Sequence, residues 1–248
     1  MLTIENLCVG YNKQILIDSF SIEIGKENLI AVLGKNGSGK STLLKTLMGI
    51  EKPLSGTVLW NNSLPTSQQE IAKIASIVLT DIPFSLNLNV ETIVSTGRYP
   101  HTGILGNLSN TDKKIIHAAL NQLNIGHLRH KKIHTISDGE RQKVMIAKAI
   151  TQNTPVILLD EPTSFLDVAN KIEISALLKE LAKEKLIIYT THDLNFALKE
   201  SNQLWVVNQS KLITGKATEI LSTSFIQEVY QTEKISYNPI ENQIEFNS

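Results

Sequence analysis

Residues 34–41 read Gly-Lys-Asn-Gly-Ser-Gly-Lys-Ser. They fit G-x-x-x-x-G-K-[ST], a loop whose backbone N–H groups wrap a nucleotide's phosphates. An apolar run at 29–33 leads into the loop, and 42–48 leads out with helical periodicity. A strand must therefore stop at Gly34 and a helix must begin near Lys40, which turns unpaired helix-start amides toward an anion. Gly34 and Gly39 allow close backbone approach, Lys40 is expected to reach the β- and γ-phosphates, and the Ser41 hydroxyl to ligate Mg²⁺. Asn36, Gly37, Ser38 and Thr42 complete the expected phosphate-binding stretch. The plain alternative is a glycine-rich turn ahead of a buried helix.

Composition narrows what surrounds this loop. The 248 residues carry 24 Lys+Arg against 24 Asp+Glu. The chain is long enough for one large core with a subdomain, and its charge makes no global case for nucleic acid or an anionic membrane. Cys8 is the only cysteine, so no disulfide framework exists within the chain. Glu5 and Asn6 stand where a signal peptide would carry basic residues, and no apolar run approaches the ~20 residues that span a bilayer. A membrane role is expected to come through partners.

Short segments at 3–9 and 20–24 that alternate, and 55–62, read as a strand closing in a turn, predict a small antiparallel layer near the N-terminus. Segments 76–80, 156–159 and 186–190 are apolar on both faces and separated by helical stretches, the pattern of buried parallel strands. The fold class is therefore α/β, a P-loop core with a mainly parallel sheet, a small antiparallel layer and a helical insertion. The insertion is placed at 84–152, where Thr111 is the expected cap of a helix with its apolar stripe at Ile115, Ile116, Ala119, Leu120 and Leu123. The core takes 1–83 and 153–215. Beyond it, 216–248 reads as one helix at 224–230 and a polar tail.

The strand at 156–159 ends in Asp160 and Glu161. Beside a phosphate loop, the first acid is expected to hold Mg²⁺ together with Ser41, and the second to activate a water as general base. Ser137 and Glu140 have the S-x-x-E spacing of a capping box, enough to start a helix at 138. The same helix start also suits an anion, and spacing alone does not decide between the two readings.

These features, in this order, resemble the ATP-binding-cassette (ABC) ATPases over nearly the whole chain. Residues 137–142 (Ser-Asp-Gly-Glu-Arg-Gln) resemble the signature motif, 164–167 the D-loop with Asp167, and His192 the switch histidine. Tyr11 resembles the aromatic residue that stacks on adenine. The resemblance implies a head-to-tail homodimer in which each ATP lies between one subunit's loop and the partner's Ser137 and Gly139. Lys40, Glu161 and His192 then carry the chemistry, with ATP and Mg²⁺ as cofactors.

The segment 96–101 (Thr-Gly-Arg-Tyr-Pro-His), followed by Leu105-Gly106, resembles importers of iron–siderophore, haem and cobalamin chelates. That implies two membrane permease subunits over the ATPase pair, docked near 80–84 and the insertion. A substrate-binding protein delivers cargo, and the chain sits at the cytoplasmic face of the cell membrane without nucleic acid. Two positions depart from the family. Thr80, followed by Asp81, stands where a Mg²⁺-contacting glutamine is usual, and Asp138 replaces a glycine. Two other classes are weighed: an ATP-gated regulatory module with weak hydrolysis, and an ABC ATPase of a different system. A metal site at His127, His130 and His134 competes with a solvated basic face.

Overall fold

A computed structural model describes residues 2–25, 29–80, 87–102, 106–164 and 166–246. The elements run β1 (Leu2–Tyr11), β2 (Gln14–Ile24), β3 (Leu29–Gly34), α1 (Lys40–Leu47), β4 (Ser55–Trp60), α2 (Gln68–Ile74), β5 (Ala75–Val78) and α3 (Val90–Ser95). A 3₁₀ turn (Thr96–His101) follows, then α4 (Asn110–Gln122), α5 (Asp138–Thr151), β6 (Val156–Leu159), α6 (Val168–Ala182), β7 (Leu186–Thr190) and α7 (Leu194–Glu200). The chain ends with β8 (Gln203–Asn208), β9 (Lys211–Gly215), α8 (Ala217–Ile220), α9 (Thr223–Tyr230), β10 (Ile235–Asn238) and β11 (Gln243–Phe246).

The central sheet has the order β5-β6-β7-β3-β8-β9. Its first five strands pair in parallel, and β8 pairs antiparallel with β9. Strand β3 is buried throughout, and its alternation divides the core. Leu29, Ala31 and Leu33 face a cluster shared with the helices of 90–151 and the C-terminal segment; Ile30 and Val32 face another, shared with α1 and the β2-β1-β4 layer. This is the expected mainly parallel sheet with an antiparallel layer on one side. Because β3, β6 and β7 are parallel neighbours, they deliver Gly34, Asp160 and Thr191 to one edge of the sheet.

Three expectations change. Helix α4 is capped by Ser109, not Thr111: Ser109 and Asp112 form a complete capping box, which starts the helix at Asn110. The expected polar tail instead forms the β10–β11 hairpin, whose Ile235, Tyr237 and Ile244 are buried in the main core. Strands β8 and β9 were not anticipated. The expected loop at 99–110 begins inside the 3₁₀ turn, and Asp81, Phe84, Leu105 and Phe165 lie outside the described residues.

Candidate active site

Loop 35–39 is shaped by glycines that carry no substitute. Gly34, Gly37 and Gly39 have φ of 145°, 79° and 102°, a region where a side chain is strained. A Cβ on Gly34 would lie 2.7 Å from the Val207 carbonyl oxygen, and one on Gly39 2.8 Å from the Leu16 Cβ. The loop is thus wedged between β8 and β2, with backbone rather than side chains turned toward the site.

Lys40 opens α1 and is buried, its Nζ donating to the carbonyls of Gly34 at 2.8 Å and Lys35 at 3.0 Å. Burial lowers its pKa, while Glu161 and Asp160 work in the opposite direction. Asp160 gathers three hydroxyls. Ser41 and Thr190 donate to Oδ1 at 2.9 and 2.7 Å, and Thr80 reaches Oδ2 at 3.2 Å. A carboxylate flanked by hydroxyls is a hard-oxygen set that suits Mg²⁺ and offers nothing to a soft metal. Ser41 and Asp160 would hold the ion. Thr80 places its hydroxyl on the same carboxylate.

Glu161 adopts a left-handed backbone, φ 49°, which costs a non-glycine residue about 1–3 kcal/mol. Its amide donates to Thr190 Oγ1 at 2.9 Å, which holds the turn in that shape. The carboxylate Oε2 meets His192 Nδ1 at 2.8 Å and the Ser164 hydroxyl at 3.3 Å. An ionised carboxylate only accepts, so Nδ1 carries the proton in that contact and the other ring nitrogen is left to act outward. The His192 side chain is 67% exposed.

A cavity of 410 Å³ is lined by Tyr11, Asn36, Gly37, Gly39, Lys40, Ser41, Thr42, Thr80, Asp160 and Glu161. Tyr11 stands at its rim, 49% exposed. Ser38 turns its hydroxyl inward, closed off from solvent and without a hydrogen-bond partner among the described residues, and lines the neighbouring cavity with Asn36 and Gly37. The remaining expected ligands are elsewhere: Ser137, Gly139 and Asp167 line a separate 600 Å³ cavity with Asp138, His127 and Lys143. Ser137 caps α5 through the expected box, with the Glu140 carboxylate accepting from its amide at 2.8 Å and its hydroxyl at 2.9 Å. Asp138 is turned to Arg141 at 2.6 Å, and Asp167 caps α6 through the Asn170 amide. The expected ligands therefore divide between two separate cavities of one chain.

Sequence reasoning passed over two neighbours. Thr190 ties Asp160 to Glu161 from the end of β7, and its place one residue before Thr191-His192 was the available signal. Tyr230 ends α9 with its hydroxyl sealed from solvent. Burial pushes its phenol up to about 12 and Glu161 adds to this, while the Gly34 backbone works against it. Nothing local marks a C-terminal tyrosine as a neighbour of residue 34. The histidines do not assemble: among the described residues no three His, Cys, Asp or Glu side chains are placed to hold a metal ion.

A phosphate loop on a parallel sheet, a carboxylate pair at the adjoining strand end and a helix start on a separate face define a P-loop nucleoside-triphosphatase cassette. Residues 17–164 match the ABC transporter family. Over 97% of its length the chain is 37% identical to an ABC transporter ATP-binding protein of Methanocaldococcus jannaschii, covering 84% of that relative. It is 35% identical to the iron(3+)-hydroxamate import ATP-binding protein of Bacillus subtilis, over 94% of this chain and 88% of that one. For the ferric enterobactin transport ATP-binding protein of Escherichia coli the values are 31%, 91% and 85%. A solved structure described as an inward-facing ABC transporter of the metal-chelate type superposes with TM-score 0.81 at 30% identity, covering 93% of this chain and 88% of that one. The chain belongs to the ABC transporter family, and it is an ATP-hydrolysing cassette of that family.

Proposed function

We propose that the protein is the ATPase subunit of an importer of metal chelates such as iron–siderophore, haem or cobalamin. Two copies close head to tail around two ATP molecules beneath two permease subunits, at the cytoplasmic face of the cell membrane, with a substrate-binding protein delivering cargo. The observation that carries the cargo class is likeness across nearly the whole chain to proteins named for iron(3+)-hydroxamate and ferric enterobactin. The division of the ligand set between two cavities supports the clamp. Among the described residues no helix is long and apolar enough to cross a membrane, so passage of cargo belongs to the permeases.

In this reading the triphosphate competes with the Gly34 and Lys35 carbonyls for the Lys40 ammonium, and the loop amides take the remaining phosphate oxygens. Mg²⁺, when bound beside Ser41 and Asp160, supplies charge neutralisation at the phosphates. Glu161 takes a proton from water as its oxygen attacks the γ-phosphorus and the bond to the ADP oxygen breaks. His192 stands on Glu161 and presents its outer nitrogen to the developing charge. Ser137 and Gly139 of the second copy bind the same γ-phosphate. Release of phosphate removes the ligand that favours the closed pair, and the pair opens.

The direct test is reconstitution with the two candidate permease subunits in vesicles, followed by uptake of radiolabelled ferric hydroxamate, ferric catecholate, haem and cobalamin with ATP inside. Stimulated phosphate release and ATP-dependent uptake of one chelate class are expected. Phosphate release without uptake of any chelate would move the chain to another transporter class. Absence of steady-state phosphate release would favour the regulatory module.

A further inference from the structure

The turn Thr96–His101 takes no part in nucleotide chemistry, yet its Arg98 belongs to a charged pair buried inside the protein. Arg98 Nε donates to Asp112 Oδ1 at 2.7 Å, with only 8% and 10% of the two side chains exposed. The same guanidinium donates through Nη1 to the Thr151 carbonyl at 2.7 Å. Thr151 is the last residue of α5, the helix whose other end carries Ser137 and Gly139. The approach is too close for a side chain at the preceding position: a Cβ on Gly97 would lie 2.2 Å from Thr151 Oγ1 and 2.3 Å from the Lys148 carbonyl oxygen.

Two tethers extend this grip. Asp112 also accepts from the Ser109 amide and hydroxyl at 2.9 and 2.6 Å, so the ion pair joins the end of α5 to the start of α4. Just past α5, the Gln152 side-chain nitrogen donates to the carbonyls of Ala72 and Ala75 at 2.7 and 3.0 Å. Ala75 begins β5, so that tether reaches the nucleotide-binding sheet.

A buried ion pair is a poor way to gain stability, since desolvation offsets most of the attraction. What a guanidinium adds is direction: its planar fork meets two acceptors at fixed angles, and its charge complements the C-terminal helix dipole. The start of α5 carries its own capping box, which shapes the first turn without fixing the direction of the helix. One turn further in, Lys143 pairs with Glu173 of α6 at 2.9 Å. Fourteen residues make α5 about 21 Å long. A tilt of ~3° about the gripped end shifts the far end by ~1 Å, and misplacement of that size costs on the order of 10²-fold in a positioned reaction.

We propose that Arg98 is a positioning residue for nucleotide capture between two copies: by holding the last turn of α5 against Asp112 it aims Ser137 and Gly139 at the partner's ATP. The inference rests on the clamp reading above. Arg98 touches no nucleotide and acts through the helix.

The test places Arg98→Lys and Asp112→Asn separately in a Glu161→Gln background. Two quantities are compared below the melting transition: affinity for ADP, which lacks the phosphate that Ser137 would clasp, and the ATP concentration for half-maximal dimerisation. ADP affinity is expected within about twofold of the parent, and the dimerisation midpoint to rise roughly tenfold or more. An unchanged midpoint, or a loss of ADP affinity parallel to the loss of dimerisation, would overturn the proposal, because the pair would then only be supporting the fold. Should either variant fail to fold, Gln152→Leu removes the tether to Ala72 and Ala75 from a partly exposed position and carries the same two expectations. Failure of the Glu161→Gln parent itself to dimerise would sink the clamp reading, a result separate from equal behaviour of parent and Arg98→Lys.

Discussion

The two cavities that share the expected nucleotide ligands are built in different ways. The phosphate-loop half is assembled from distant strands: Ser41 meets Asp160 across 119 positions of sequence, and Thr190 meets Asp160 across 30. Its groups are largely buried and already hold one another. The signature half is local at its working end, where Ser137 and Glu140 bond within one exposed turn. In the proposal above, its orientation is set from the opposite end of a 14-residue helix. The contrast teaches that the phosphate-loop group is preorganised within one chain, while the Ser137 group, in the proposed clamp, would become a site when a second chain brings a phosphate to it.

Lys40→Ala breaks the comparison most severely. It removes a buried cation of the preorganised half, and ATP-induced dimerisation is expected to disappear at millimolar ATP, measured by sedimentation or light scattering. Glu161→Gln keeps the shape and loses the base, so turnover is expected to fall ~10²- to 10⁴-fold while an ATP-bound dimer accumulates. A monomer at saturating ATP would count heavily against a shared site.

The signature half gives a finer contrast. Ser137→Ala is expected to raise the apparent ATP concentration for dimerisation about tenfold, as a lost hydrogen bond to a charged group does. Asp138→Gly is expected to change it less, because the carboxylate is already turned to Arg141. The reverse order would mean that Asp138 faces the nucleotide. In the preorganised half, Thr80→Ala removes one of three hydroxyls from Asp160 and should weaken Mg²⁺-dependent turnover only a few fold. Wild-type turnover and permease stimulation in a Thr80/Asp81 double variant would show that neither residue replaces the missing glutamine.

The smallest effect concerns stability. Hydrogen bonds from Ser109 and then Arg98 hold the Asp112 carboxyl down at about 2, below its usual value of ~3.9. A depressed folded-state pKa contributes stability that is fully present above about pH 4 and drains away as pH falls toward 2. Asp112→Asn should therefore flatten the acid-unfolding curve between those limits, followed by circular dichroism.

Much of the arrangement was legible because it is local. A glycine pattern is a demand on φ, and loop 34–41 announced itself. The apolar runs that end at Leu159 and Thr190 were legible as buried strands, since both faces of a parallel sheet are covered. The capping box at Ser137 was readable from four residues. The cap of α4 was misplaced by two positions, because Ser109 and Thr111 are both competent caps and the reciprocal box between Ser109 and Asp112 selects the first. Strands β8 and β9 and the terminal hairpin went unread for a related reason. Short polar-and-apolar segments become strands when a neighbouring strand supplies their hydrogen bonds, and Val206 or Tyr237 carries no mark of that neighbour.

Residue order alone marked the groups this protein can use: a phosphate loop, a carboxylate pair, a histidine after a buried strand and a capped helix start. Backbone conformation and capping are short-range, so they can be written in a few adjacent letters. Tertiary structure decided which of these groups share a cavity. It set Lys40, Asp160 and Glu161 together, turned Ser137 and Asp167 to another surface, and put Tyr230 against Gly34 and Arg98 beneath the signature helix. Those placements follow from strand order and helix direction, which arise only when distant segments bury their apolar faces against one another.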